Sequence, residues 1–165
     1  MNPITYTNEP VSPRVTMSVY YNNRKVTNGC ELHTLTAQTT PRVVIGGKRD
    51  EKYTLILADS DDPKYNSQEN LSWLVINIPG GTTCAQGTQV VSYKGPGPGV
   101  GVHRYRFDLY KQEEKIDKIK NINILLLRGC LKTCDFAYSH KLGDPVGVTY
   151  FNVRKQPPPP AKKKT

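Results

Sequence analysis

The stretch that decides the fold runs from Tyr93 to Tyr105 and reads Y-K-G-P-G-P-G-V-G-V-H-R-Y. Its first part alternates glycine and proline. Proline fixes φ, while glycine lets a backbone approach a ligand closely, so a pocket wall is one interpretation and an ordinary surface loop is the other. Its second part opens a strand predicted over His103 to Tyr110. Because side chains alternate along a strand, His103 and Tyr105 begin a face that continues as apolar residues.

Two further apolar runs also place polar side chains at one end of a face. Tyr53 to Ala58 is predicted to be a buried strand, and Asp59 and Asp61 extend the face of its leucines beyond its end. In a strand over Leu71 to Ile78, Ser72 shares a face with the apolar residues two and four positions later. If these ends meet, they form a small polar pocket that caps the core.

The rest of the chain is predicted to be mostly short strands separated by turn residues. Other predicted strands are Arg14–Tyr21, Cys30–Leu32, Arg42–Ile45, Val90–Tyr93, Asn123–Leu127 and Gly147–Arg154. One short helix is predicted near the C-terminus, capped by Thr133 and ending before Gly143 as its C′ residue. This pattern predicts a mainly β fold, an antiparallel β-sandwich or roll of two sheets.

Length and charge indicate one basic domain with a polar tail. The 165 residues fit a single domain, expected over residues 1–155, and the net charge is +9. Lys155 and Lys162–Lys164 place four of those charges at one end, where the Pro/Lys-rich residues 156–165 are expected to be disordered. Weak contact with anionic membranes through this tail, about 1 kcal/mol per lysine, is an alternative to a solubilising role.

The same features argue against several classes of protein. The remaining charge lacks the dense Lys/Arg field of a nucleic-acid binder, so a nucleic-acid partner is not expected. No segment has the roughly 18 apolar residues of a membrane span, and the first residues do not resemble a signal peptide. A cytoplasmic location is therefore expected.

The cysteines do not show the spacing of a common metal site. Only Cys130 and Cys134 are close together, as C-x₃-C, while Cys30 and Cys84 stand alone. Free or buried thiols are the expectation, with a disulfide or a metal site as the alternatives. No metal and no cofactor are predicted.

Four sequence blocks resemble the phosphatidylethanolamine-binding protein family and occur in the family's order. Tyr93–Tyr105 is similar to the pattern Y-x-G-P-x-P-x-x-G-x-H-R-Y, the most specific of the four. The others are Asp59-Ser60-Asp61-Asp62-Pro63, similar to D-P-D-A-P; Ser72-Trp73-Leu74-Val75, similar to H-W-L-V; and Leu142-Gly143-Asp144-Pro145-Val146, similar to L-G-x-P-V. The resemblance that these blocks indicate extends over most of residues 12–155.

The resemblance implies a non-enzymatic binding protein with two antiparallel sheets and a pocket for phosphate-type head groups. It assigns the pocket to Asp59, Asp61, His103 and Tyr105, with Ser72 at a family histidine position and with Gly95, Pro96 and Pro98 in one wall. The imidazole and phenol can donate to a phosphoryl oxygen, and an aspartate can accept from a head-group ammonium. The implied ligands are a phospholipid head group or a phosphorylated group, and the implied partner is a signalling protein such as a kinase.

Three positions depart from the family pattern. Ser72 replaces a histidine, and Ser60 and Asp62 replace the proline and alanine of D-P-D-A-P. Serine cannot become cationic, and Asp62 adds a carboxylate, so both changes predict a weaker attraction for an anion.

A hydrolase is the alternative among enzymes. His103 with Asp59 or Asp61 would act on a serine nucleophile, and Ser60 or Ser72 are the candidates. Neither serine lies in a G-x-S-x-G elbow, so no catalytic residue is assigned.

Overall fold

The computed structural model describes residues 14–60, 70–119, 133–157 and 160. These residues form nine strands and one α-helix. The strands are β1 Met17–Tyr21, β2 Arg24–Lys25, β3 Cys30–Leu32, β4 Arg42–Ile45, β5 Lys52–Asp59, β6 Asn70–Pro79, β7 Thr88–Val91, β8 Gly101–Gln112 and β9 Gly147–Lys155, and the helix is α1 Thr133–Ser139. Two single 3-10 turns lie at Thr36–Gln38 and Cys84–Gln86.

The strands form two sheets, which confirms the predicted mainly β fold. The smaller sheet has the order β2-β1-β4, and the larger has the order β3-β9-β8-β5-β6-β7. Every pairing is antiparallel except that of β3 with β9, which is parallel. β5 and β8 therefore lie in the middle of the larger sheet, next to β6 and β9.

The main core lies between the two sheets. Its members from the smaller sheet include Val19 and Ile45, and those from the larger include Leu57, Phe107 and Phe151. Each is at most 1% exposed. Alternation along the strands produces this layer, since every second side chain of β5, β8 and β9 points to it. We call this side of the larger sheet its inner face.

A second core covers the opposite, outer face of the larger sheet. Ile56 and Leu74 pack there with Phe136 and Ala137 of helix α1 and with Leu142 after it. β5 and β6 are thus buried on both faces, which explains their nearly continuous apolar sequences.

Most of the predicted strands are confirmed, with shifted ends. β1 begins at Met17 rather than Arg14, and the strand predicted from Val90 lies at Thr88–Val91. The strand predicted over Asn123–Leu127 falls outside the described residues, as does most of the predicted tail. Within the described chain, no helix has the length and apolar character to cross a membrane.

The helix ends differently from the prediction. Lys141, not Gly143, is the left-handed C′ residue, with φ +54°. Its N–H donates to Tyr138 O at 3.2 Å, and the Leu142 N–H donates to Ala137 O at 2.8 Å. These two bonds form a Schellman motif, and the buried Leu142 adds its hydrophobic contact. The prediction of Gly143 was wrong because this apolar anchor decides which residue turns the chain.

Candidate functional site

Asp59, His103 and Tyr105 meet at one end of the inner face. In the sheet register, Asp59 of β5 lies opposite Tyr105 of β8, and Tyr105 lies opposite Phe151 of β9. Lys155, the last residue of β9, reaches the same end. We call Asp59, His103, Tyr105 and Lys155 the polar cluster. The sequence predicted that the first three lie together, but it did not include the lysine.

The His103 ring is held by acceptors on both sides. Its Nδ1 lies 2.8 Å from Asp59 Oδ2, and its Nε2 lies 2.9 Å from the Val100 carbonyl oxygen. Both contacts are satisfied together when each ring nitrogen carries a proton and donates. The imidazole is therefore fixed between β5 and the end of the glycine/proline loop.

Lys155 is a buried cation within this cluster. Its side chain is 6% exposed, and its Nζ lies 3.4 Å from Asp59 Oδ2, a carboxylate that is fully buried. The ammonium also lies 5.5 Å from the centre of the Tyr105 ring, within the range of a cation–π contact. Three polar contacts thus join one aspartate, one histidine, one lysine and one backbone carbonyl, and a fourth contact joins the lysine to the Tyr105 ring.

The burial of Lys155 was not predicted. The alternation of β9 continues to its last residue, so Lys155 shares the inner face with Phe151 and Val153. The predicted strand ended one residue earlier, at Arg154, and the charge of Lys155 was counted with those of the C-terminal lysines.

The cluster rests on an aromatic floor. The Tyr105 and Phe151 rings are stacked, with centroids 5.5 Å apart and planes 12° apart. Phe151 also meets Phe107 at 6.0 Å and Tyr21 edge-on at 5.5 Å. Below the cluster, the described part of the core is thus closely packed and apolar.

The loop before β8 is anchored at its start. Tyr93 OH donates to Ala37 O at 2.6 Å and accepts from Tyr21 OH at 2.8 Å. Burial raises the pKa of Tyr93 to about 12, so the phenol keeps its proton at neutral pH. Gln38 Nε2 donates to Pro96 O at 2.6 Å. These bonds hold one end of the predicted wall in place.

The far end of the loop closes over Lys155. The Gly99 N–H donates to Gln156 O at 3.0 Å, which ties the loop to the residue after Lys155. A Cβ built on Gly99 would lie 2.7 Å from Lys155 Cδ, whereas one on Gly97 would meet no atom within 4 Å. Gly99 therefore makes room for the lysine stem.

We predict that Gly99→Ala lowers the free energy of unfolding by about 1–3 kcal/mol, because the lysine stem or the loop must shift. Gly97→Ala is the matched control in the same loop and should change stability by at most about 0.5 kcal/mol. Neither glycine has a positive φ. Urea denaturation of both variants measures this difference, and equal stabilities would show that the loop does not pack on Lys155.

Two predicted pocket residues are not placed in the cluster. Asp61 lies outside the described residues. Ser72 is buried, but a bulge in the β5–β6 pairing skips it, since Trp73 lies opposite Leu57 and Leu71 lies opposite Ala58. In the described part of the chain, the Ser72 hydroxyl makes no hydrogen bond.

The apolar face predicted to continue from Ser72 lies away from the cluster. Leu74 and Ile76 belong to the core on the outer face, whereas Trp73 and Val75 belong to the main core.

A groove lies next to Lys155 in the chain, since Arg154 and Gln156 both line it. It has a volume of about 750 Å³, and Pro96, Gly97 and Pro98 line one side of it. Arg24 and Arg154 are among its other residues, with His33 and Glu31. Glu31 pairs with Arg154 at 3.5 Å. Its basic residues come from separate strands and share no sequence motif, so sequence reasoning did not find them.

A smaller pocket lies near the other edge of the larger sheet. It has a volume of about 360 Å³ and is lined by Trp73, Arg42, Cys84 and Gln89, among others. Trp73 Nε1 donates to Gln89 Oε1 at 2.7 Å. Burial raises the pKa of the Cys84 thiol to about 12, so this sulfur is not a nucleophile at neutral pH.

The geometry of His103 argues against the hydrolase alternative. A triad needs one ring nitrogen on the nucleophile, but Nδ1 faces Asp59 and Nε2 faces Val100 O. Ser60 Oγ instead donates to Arg104 O at 3.3 Å.

Cys30 and Cys84 are free thiols, as expected, while Cys130 and the Cys134 side chain lie outside the description. Among the described residues, no three His, Cys, Asp or Glu side chains are grouped to hold a metal ion.

Comparison with known proteins decides the family. A family model described as "Phosphatidylethanolamine-binding protein" matches residues 22–151, well over half of the chain. The chain belongs to the phosphatidylethanolamine-binding protein family. It is 38% identical over 152 residues to "Protein MOTHER of FT and TFL1 homolog 2" of Oryza sativa subsp. japonica, covering 88% of this chain and 84% of that protein. It is 37% identical over 149 residues to "Protein TERMINAL FLOWER 1" of Arabidopsis thaliana, covering 88% and 82%.

Solved structures of other proteins share the fold. A carboxypeptidase Y inhibitor, solved in complex with its cognate proteinase, matches with a TM-score of 0.70 at 22% identity, covering 87% of this chain and 85% of its own. A phosphatidylethanolamine-binding protein from Plasmodium vivax matches with a TM-score of 0.66 at 18% identity, covering 86% of both chains. Membership of this family of binding proteins supports the prediction of a non-enzymatic protein.

Proposed function

We propose that this protein is a non-enzymatic binding protein that takes a phosphate-type group at the polar cluster and thereby regulates a protein partner. The observation that carries the proposal is the meeting of Asp59, His103, Tyr105 and Lys155 beside the glycine/proline loop. The phosphate can belong to a lipid head group or to a phosphorylated side chain, because both present the same acceptor oxygens.

The charges of the cluster support an anionic ligand. Lys155 brings an ammonium with three N–H donors, and within the described residues its one polar contact is with Asp59. Such an ammonium suits an anionic oxygen as a further acceptor. The neighbouring groove adds Arg24 and Arg154, which would raise the local concentration of an anion before it reaches the cluster.

A protein partner is supported by a neighbour of the same fold. The carboxypeptidase Y inhibitor was solved bound to its cognate proteinase, so this fold can present a surface to another protein. We propose a signalling partner such as a kinase. Capture of a partner from host lysate should depend on the cluster, and His103→Ala should reduce it.

The chain offers a direct NMR test of the ligand site, because it has three histidines. We expect phosphotyrosine, at about 1–10 mM, to shift the His103 ring signals with saturation, as a ligand of weak affinity does. His140 is the internal control, since it stacks on Phe136 of helix α1 at the outer face. Phosphorylethanolamine, titrated in parallel, distinguishes a lipid head group from a phosphorylated side chain. A His103 signal that neither compound moves would refute the proposed pocket.

A further inference from the structure

The ammonium of Lys155 has unused hydrogen-bonding capacity. An ammonium has three N–H donors, and within the described residues its one polar partner is the Asp59 carboxylate at 3.4 Å. Its side chain is 94% buried, so bulk water does not freely satisfy the other donors. A buried polar group without an acceptor is costly. The lysine is therefore suited to receive an additional acceptor, and an anionic oxygen suits it best.

The Asp59 carboxylate, in contrast, is already engaged by an imidazole nitrogen and by an ammonium. His103 Nδ1 at 2.8 Å and Lys155 Nζ at 3.4 Å both contact its Oδ2 atom. If the ammonium of a ligand head group bound to this carboxylate, it would lie within a few ångströms of the Lys155 ammonium. Like charges repel strongly at such separations when they are shielded from water.

We infer that Lys155 acts as an internal substitute for a ligand ammonium, so that the site selects phosphate groups that carry no ammonium. This rests on the proposed function, since it assumes that the polar cluster binds phosphate. Lys155 would donate to the phosphate directly, while His103, whose two nitrogens are engaged, would hold Asp59 in place. The ligand class is then a phosphorylated side chain or a simple phosphate monoester rather than phosphorylethanolamine.

Two small phosphates that differ only in the ammonium test this selectivity. Ethyl phosphate and phosphorylethanolamine have the same two-carbon ester, and each is titrated into the full-length protein by NMR. We expect the wild-type protein to bind ethyl phosphate at least about tenfold more tightly. In Lys155→Met, which keeps an unbranched apolar stem, the preference should disappear or reverse by a similar factor. Lys111→Met is the matched control, because Lys111 lies at the other end of β8 in an exposed pair with Glu51, and it should leave the ratio unchanged.

Each outcome supports or overturns the inference. Equal wild-type affinities for the two phosphates, unchanged in Lys155→Met, would overturn the selectivity while leaving the proposed phosphate site intact. Binding of neither compound by the wild-type protein would overturn both. If Lys155→Met does not fold, the ratio of the wild-type affinities for ethyl phosphate and phosphorylethanolamine decides alone. Lys155→Arg, which keeps the positive charge, should preserve the preference for ethyl phosphate.

Discussion

Asp59→Asn is expected to lower the free energy of unfolding by about 3–5 kcal/mol, because it leaves buried cationic partners without their counter-charge. Asp59 is fully buried and contacts both His103 and Lys155 through one oxygen. The asparagine keeps the size of the side chain, so the loss reports charge rather than a cavity. Equilibrium urea unfolding measures it.

The double variant Asp59→Asn, Lys155→Met separates the charge effect from general damage. Since removing both members of a buried pair is often close to neutral, it should be more stable than Asp59→Asn alone. Glu31→Gln is the surface control. Its pair with Arg154 is more than half exposed on both sides, and its loss should cost at most about 1 kcal/mol. An Asp59→Asn protein as stable as Glu31→Gln would mean that the cluster is not a buried ion pair.

Phe151→Ala is expected to destabilise the protein by about 3–5 kcal/mol, because it opens a cavity under the polar cluster. The Phe151 side chain is fully buried and contacts the rings of Tyr105, Phe107 and Tyr21. Loss of the stacking partner of Tyr105 should also broaden or shift the His103 ring signals. Thermal and urea unfolding report the first effect, and NMR reports the second.

Tyr138→Ala is the matched aromatic control. Tyr138 lies on helix α1 and is 87% exposed, so its removal should change the free energy of unfolding by about 0.5 kcal/mol or less. If Phe151→Ala were as mild as this control, Phe151 would not form the floor of the site.

Alternation along strands predicted the fold and three of the four residues of the polar cluster. It placed Asp59 at the end of β5 and His103 and Tyr105 at the start of β8, and both strands carry these side chains to the inner face. The faces of these three residues were predicted correctly because the β5–β8 pairing is regular over its whole length. No bulge interrupts it, so each residue keeps its face.

The misses have local physical causes. Ser72 lies at a bulge in the β5–β6 pairing, and a bulge cannot be read from one strand alone. The last strand was predicted to end at Arg154, so Lys155 was given no face, although β9 includes it and carries it inward. A lysine is seldom buried unless it is paired with a carboxylate. The partner of Lys155 is Asp59, which lies 96 residues earlier in the chain. Such a pairing depends on tertiary structure, which the sequence of β9 alone does not contain.

A crystal of the protein soaked with phosphotyrosine would show directly whether the polar cluster binds phosphate. We expect phosphate oxygens at about 3 Å from Lys155 Nζ, with the His103 ring still on Asp59. Phosphate bound elsewhere, for example only at Arg24 and Arg154 in the groove, with Lys155 keeping its contact to Asp59, would contradict it.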